Sequence, residues 1–211
     1  EPDQIRSIIK KRKWKKIVGF HTRNPPHRAH EYLHKCSLEN SDGLLLHPVL
    51  GTKKKGDFSN QAILAGYKTY VKNYLPEKNV VFTPLLIYSR YAGPKEAVFT
   101  AIVRRNYGCT HFIVGRDHTG VKNYYGKYDS QKIFQIISDI DIKIMKFDEP
   151  YFCKRCNQIT TKKTCGCNSK YSIKINGTQI RDAIKKHQSL PDYFIRKKVL
   201  TELTSIKNCF V

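Results

Sequence analysis

The chain has 211 residues and a mass of 24.5 kDa with 40% apolar residues, which suits one α/β domain with a real core and leaves no room for a second catalytic domain. No apolar run approaches the roughly eighteen residues needed to cross a bilayer, and no charged-then-apolar leader opens the sequence, so a cytoplasmic protein is expected. Lys and Arg number 39 against 17 Asp and Glu, a formal net charge of +22; the bases are spread through the chain and no nucleic-acid-binding motif accompanies them, which reads as a solvated surface around anionic ligands with no nucleic-acid partner.

In chain order, a short apolar strand over Ile17 to Phe20 hands over to a helix over His27 to Leu38, with Asn24 as N-cap and Pro25 at the first helical position, where a missing N–H costs nothing. Further strands are expected over Gly43 to Pro48, Val80 to Thr83, His111 to Gly115 and Ile142 to Phe147. Helices are expected over Asn60 to Tyr74, Lys95 to Asn106, Ser130 to Ser138, Thr178 to Lys186 and Pro191 to Ile206. The alternation predicts an α/β fold, a Rossmann-like doubly wound parallel sheet that takes ligands beyond the carboxyl ends of its strands. Residues 1–150 form its core, 151–172 an insertion, and 173–211 a helical C-terminal segment of the same domain.

Chemistry concentrates between Phe20 and Glu31. Helical geometry puts His27 and His30 on one face of the first turn, beside unpaired backbone N–H groups and the positive end of the helix dipole. With Arg23 and Asn24 next to them, this is an anion site with two imidazole donors. The plainer alternative is a capped helix whose histidines pack or face solvent. A second cluster, Cys153-x-x-Cys156 with Cys165-Gly166-Cys167, has thiolate spacing able to close a tetrahedral shell around structural zinc. Two disulfides, disfavoured in a reducing compartment, and free thiols are the alternatives. Cys36, Cys109 and Cys209 are expected to be buried core residues.

The stretch His21-Thr22-Arg23-Asn24-Pro25-Pro26-His27-Arg28-Ala29-His30-Glu31 resembles the pattern Q-T-R-N-P-x-H-R-A-H-E of the sulfate adenylyltransferases, or ATP sulfurylases. Tyr91 to Ala97 is similar to that family's Y-A-G-P-R-E-A, Gly115 to Gly120 to G-R-D-H-A-G, Tyr124 to Gln131 to Y-Y-G-P-Y-D-A-Q, and Ile175 to Arg181 to I-S-G-T-x-x-R. These motifs stand in family order and cover about residues 15 to 206. The resemblance implies the HxxH/HxGH nucleotidyltransferase type of the fold, without the family's usual amino-terminal β-rich module, and a symmetric assembly, with a homodimer as the default. Some family members carry a similar Cys-rich insertion ending in C-P-H, where this chain has Cys167.

The resemblance further implies transfer of adenylyl from ATP, carried with Mg2+, to sulfate, giving adenosine 5′-phosphosulfate and pyrophosphate. Thr22, Arg23 and Asn24 match the catalytic trio, and His27 and His30 the histidines around the β- and γ-phosphates. His21, Gly115, Arg116, Asp117, His118 and Phe147 complete the ATP-binding set, while His21, Arg23 and Thr119 fall at the sulfate pocket. Asp117 can equally orient Arg116, Phe147 can be plain core, and Arg181 can pin the last helices to the domain. His21 stands where the family has glutamine and Thr119 where it has alanine, which opens the alternative of a related oxyanion such as a phosphonate. A non-catalytic nucleotide or nucleic-acid binding module is the remaining alternative. Lys122, Lys127 and Asn176 are further departures, in the loop after Gly120 and in the I-N-G-T segment.

Overall fold

The computed structural model describes residues 1–116, 118–120 and 124–211. In chain order its elements are α1 (Pro2–Lys11), β1 (Ile17–Thr22), α2 (Arg28–Leu38), β2 (Gly43–Leu50), α3 (Asn60–Tyr74), β3 (Val80–Phe82), β4 (Leu85–Leu86), α4 (Pro94–Asn106), β5 (His111–Val114), α5 (Asp129–Lys132), β6 (Lys143–Lys146), β7 (Tyr151–Cys153), β8 (Gln158–Thr160), β9 (Ser172–Lys174), α6 (Gly177–Lys185) and α7 (Lys197–Ser205).

The main sheet runs β3-β2-β1-β5-β6, every pair parallel, with β4 extending β2. Strand order reverses between β1 and β5, and a crevice opens there beyond the carboxyl ends of both strands. Both faces are covered, which explains why β1 and β2 are almost wholly buried runs instead of alternating ones. On one face Val18, Phe20, Leu44 and Leu46 pack against Leu33 of α2, Tyr67 and Tyr70 of α3, Ile180 of α6 and Leu203 of α7. On the other, Ile17 and Leu45 meet Ile5 and Ile9 of α1, while Phe112 and Val114 meet Ala101 of α4.

Three local expectations are corrected. Asn24 and Pro25 do not start α2: His27 is its N-cap, in extended backbone, and its side chain accepts from the His30 N–H. Two consecutive prolines explain the delay, since a residue before proline is steered away from helical angles. Beyond Ser130, a short α5 gives way to a 3-10 turn over Ile133–Gln135. The final helix begins at Lys197 and not Pro191, because residues before it form a turn closed by the Phe194 N–H on the Pro191 carbonyl, and Tyr193 stacks on Phe152 with ring centroids 4.2 Å apart. α1 was not expected, although Ile5 and Ile9, four apart, make its buried stripe.

Tyr151 to Lys174 forms a separate antiparallel sheet of order β8-β7-β9. It leans on α2 through the Tyr32 and Thr164 hydroxyls, 3.3 Å apart. Of the remaining cysteines, Cys109 and Cys209 are buried as expected, but Cys36 is only half-buried.

Candidate anion-binding site at the sheet switch point

The turn from β1 into α2 builds one wall of the crevice. Thr22 is buried, and its hydroxyl accepts from the Asn24 N–H at 3.1 Å, which folds the turn back on itself. Asn24 in turn packs on the start of α6, where a Cβ on Gly177 would approach its Cγ to 2.9 Å. The I-N-G-T segment therefore lines the crevice from the opposite side, with Asn176 capping α6 through the Gln179 N–H at 2.9 Å.

His27 and His30 stack with ring centroids 3.6 Å apart. Because His27 Nδ1 accepts the His30 N–H at 3.3 Å, its proton sits on Nε2, and the ring is a donor. Burial pushes His27 down to about 3 and His30 well below the ordinary histidine value, the latter helped by neighbouring His27 and His34. Both are neutral imidazoles across the physiological range.

Arg23 is held at the crevice mouth by groups that do not belong to its own turn. Its guanidinium lies over the Tyr91 ring at 4.5 Å, and Asp57 stands 4.0 Å away while also pairing with Arg181 at 2.8 Å. Lys54 shares the Tyr91 ring at 3.5 Å, and Lys53 is pushed down to about 8 by burial and by Arg23. Tyr91 adopts φ +56, an uncommon conformation for a side chain of its size.

From β5 comes the third wall. A Cβ on Gly115 would meet nothing within 4 Å, so the backbone there faces open space. Arg116 pairs with Glu149 at 3.2 Å, and Lys127 joins the same carboxylate at 3.3 Å. His118 is buried and pushed down to about 3 by burial, with Arg104 and Arg23 adding to the effect. His21 lies 4.8 Å from it, ring to ring, and its Nε2 is 3.4 Å from the Thr119 hydroxyl. Thr119 is a β-branched residue at φ +55, and strained backbone of this kind collects at ligand sites.

Thus His21, Thr22, Arg23, Asn24, His27, His30, Gly115, Arg116, His118 and Thr119 line one crevice. Asp117 and Lys122 lie outside the described residues. Phe147 does not line it: this residue packs against the main core. Asp57, Tyr91, Asp148, Glu149 and Gly177 were missed by sequence reasoning. Tyr91 and Gly177 sit within recognisable motifs, whereas nothing local marks Asp57 or Glu149, which act through contacts across the fold.

The four cysteine sulfurs Cys153, Cys156, Cys165 and Cys167 lie within 4.8 Å of one another. Four sulfurs around a tetrahedral zinc at its usual bond length stand about 3.8 Å apart, so the set fits a metal ion and leaves no open position.

Fold and crevice together define an α/β protein with a crevice lined by arginine and histidine side chains at the switch point of a parallel sheet. The chain belongs to the ATP-sulfurylase family, whose sequence profile matches residues 1–206. It is 43% identical over 210 residues to a sulfate adenylyltransferase of Staphylothermus marinus, covering 100% of this chain and 55% of that protein. Against a sulfate adenylyltransferase of Carboxydothermus hydrogenoformans it is 46% identical over 200 residues, covering 94% and 52%. The chain spans about half the length of the curated relatives it matches. Among solved structures, a hexameric APS kinase from Thiobacillus denitrificans superposes with a TM-score of 0.74 at 19% identity, covering 98% of this chain and 39% of that one. A bifunctional NMN adenylyltransferase/ADP ribose pyrophosphatase from Francisella tularensis gives a TM-score of 0.53 at 14% identity, covering 91% and 50%. At such identities these two likenesses speak to the fold alone.

Proposed function

We propose that this chain is the catalytic unit of an ATP sulfurylase, transferring adenylyl from ATP to sulfate to give adenosine 5′-phosphosulfate and pyrophosphate, or running the reverse. The observation that carries this reading is the convergence of Arg23, Asn24, His27, His30 and Arg116 on one crevice at the switch point. In the forward direction a sulfate oxygen attacks the α-phosphorus. The new O–P bond forms as the bond from that phosphorus to the bridging oxygen breaks, and pyrophosphate leaves with the electron pair.

Sulfate is already fully ionised at neutral pH, so no proton has to be removed. The work left to the protein is to hold two repelling anions in line and to stabilise charge on the leaving group. Neutral imidazole donors suit that work, and a single preorganised donor of this kind is worth about 3 to 4 kcal/mol in the transition state. In this reading Arg23 bridges sulfate and α-phosphate, with Thr22 and Asn24 fixing its turn, and His27 and His30 donate to the β- and γ-phosphates. Gly115, Arg116, Asp117 and His118 hold the nucleotide, with Phe147 behind them, and His21 and Thr119 wall the sulfate pocket.

Mg2+ enters with ATP, since the four-cysteine set is the group of candidate metal ligands found among the described residues. That set holds structural zinc, making 151–172 a zinc-binding insertion between the 1–150 core and the 173–211 segment. A cytoplasmic homodimer completes the proposal; among the described residues no helix is long and apolar enough to cross a membrane.

The test is pyrophosphate release from MgATP with and without sulfate. Release that depends on sulfate is expected, and release indifferent to sulfate contradicts the reading. One observation favours a second reading: the Thr119 hydroxyl beside His21 adds a polar group to the acceptor wall. Release driven by a phosphonate, with sulfate inert, would select it.

A further inference from the structure

Arg104 on α4 is fully buried, and its side chain runs along the sheet instead of out to water. It crosses β1 so closely that a Cβ on Gly19 would come within 2.7 Å of its Cγ. The guanidinium donates to the His47 carbonyl at 2.9 Å and reaches the Thr100 carbonyl at 3.5 Å, while Nε has no partner. His47 is in register with His21, and alternation along β1 puts Gly19 and His21 on the same face. The charge therefore lies directly behind His21.

A second connection runs through Thr100. Its hydroxyl donates to the Glu96 carbonyl at 2.8 Å, so it accepts from His118 Nε2, also at 2.8 Å. Among the described residues no carboxylate pairs with Arg104. The acid nearest in its own helix, Glu96, spends both oxygens on the Arg90 and Ala92 N–H groups. A buried cation whose partners among the described residues are carbonyl groups and no carboxylate keeps its full charge uncompensated behind the crevice wall.

We propose that Arg104 is a specificity-determining residue: acting through His21 and His118, its buried charge makes the crevice wall select a doubly charged small oxyanion over a singly charged one of the same shape. This deepens the function proposed above and rests on it. Burial pushes Arg104 down to about 10, which leaves it charged at neutral pH, while burial and Arg104 together keep His21 and His118 uncharged. The fixed field therefore acts on each unit of ligand charge, and one side-chain layer away it changes the affinity for a dianion by roughly tenfold or more.

Dissociation constants of sulfate and perchlorate, both tetrahedral, are measured on the full natural protein at constant ionic strength, native and Arg104→Met. The variant should bind sulfate about tenfold more weakly and perchlorate about threefold, since the effect scales with ligand charge. Equal losses for both ions, as a packing defect would give, or no loss, overturn the proposal. Should Arg104→Met not fold, Arg104→Lys retains stem and charge, and a buried amine, unlike a guanidinium, discharges as pH rises from 7 to 9.5. Its preference for sulfate should fade over that range while the native preference persists; a preference that persists in both overturns the role. No saturable binding of either ion to the native protein removes the oxyanion reading itself, and this inference with it.

Discussion

The two candidate ligand sites are built by opposite means. The crevice stands on β1 and β5, whose residues are nearly all buried, and its histidines are held by ring stacking, an N-cap and parallel strand pairing. The cysteine unit stands on three short antiparallel strands, and between Tyr151 and Lys174 only Cys153, Thr160 and Thr161 are buried. One site is shaped by packing before any ligand arrives, while the other, with so few buried side chains, is the one we propose to be held by coordination.

If packing preorganises the crevice, removing a ligand-facing group should cost turnover and not fold. Arg23→Ala is expected to lower sulfate-dependent pyrophosphate release by about 10²- to 10³-fold, with a melting temperature close to native. Near-native turnover removes Arg23 from the proposed chemistry. His27→Ala and His30→Ala should each cost around 10²-fold, and the double variant less than their product if the stacked pair acts as a unit. They differ in stability, because only His27→Ala also loses the N-cap, at about 1 kcal/mol; His27→Asn should restore that stability without restoring the rate.

The cysteine unit should behave in the reverse way. Stripping metal with a chelator is expected to lower the melting temperature by several degrees and expose Cys156 to Lys170 to protease, whereas an unchanged melting curve and digestion pattern would count against a structural metal.

Acid distinguishes the regions again. His27, His34 and His118, each pushed down to about 3 by burial, are uncharged in the fold and protonate when it opens. The unfolded chain therefore binds more protons below pH 6.5, and stability falls as pH drops from about 6.5 toward 3, by up to ~1.4 kcal/mol per pH unit for each ring. Denaturant midpoints flat between pH 7 and 4 would contradict neutral burial. The smallest change is expected from His21→Gln, which exchanges one neutral polar group for another. Its sulfate KM should move by less than about fivefold, and complete loss of sulfate use would mean that His21 serves a different acceptor.

Much of this was legible in the sequence, for identifiable reasons. β1, β2, α3 and α4 announce themselves through continuous apolar runs and helical periodicity, and the alternation of strand and helix dictates the switch point at which the crevice opens. The start of α2 was misplaced because Asn24-Pro25 has the local chemistry of a cap, while the two prolines that defer the helix act sterically on their neighbours. The antiparallel sheet around the cysteines was invisible, since strands of three residues carry no period. Arg104, Asp57 and Glu149 escaped for a deeper reason. Each works through at least one partner more than 30 residues away, and pairing at such range leaves no mark on spacing.

The most direct test is a crystal structure of the full natural protein with Mg2+ and the non-cleavable analogue α,β-methylene ATP. The account places the triphosphate against Arg23, Asn24, His27 and His30, with the nucleoside toward Gly115 and Arg116. A nucleotide seated instead in the groove beside Lys162 and Lys174, or anywhere that leaves the β1 to α2 turn without phosphate contacts, would contradict it.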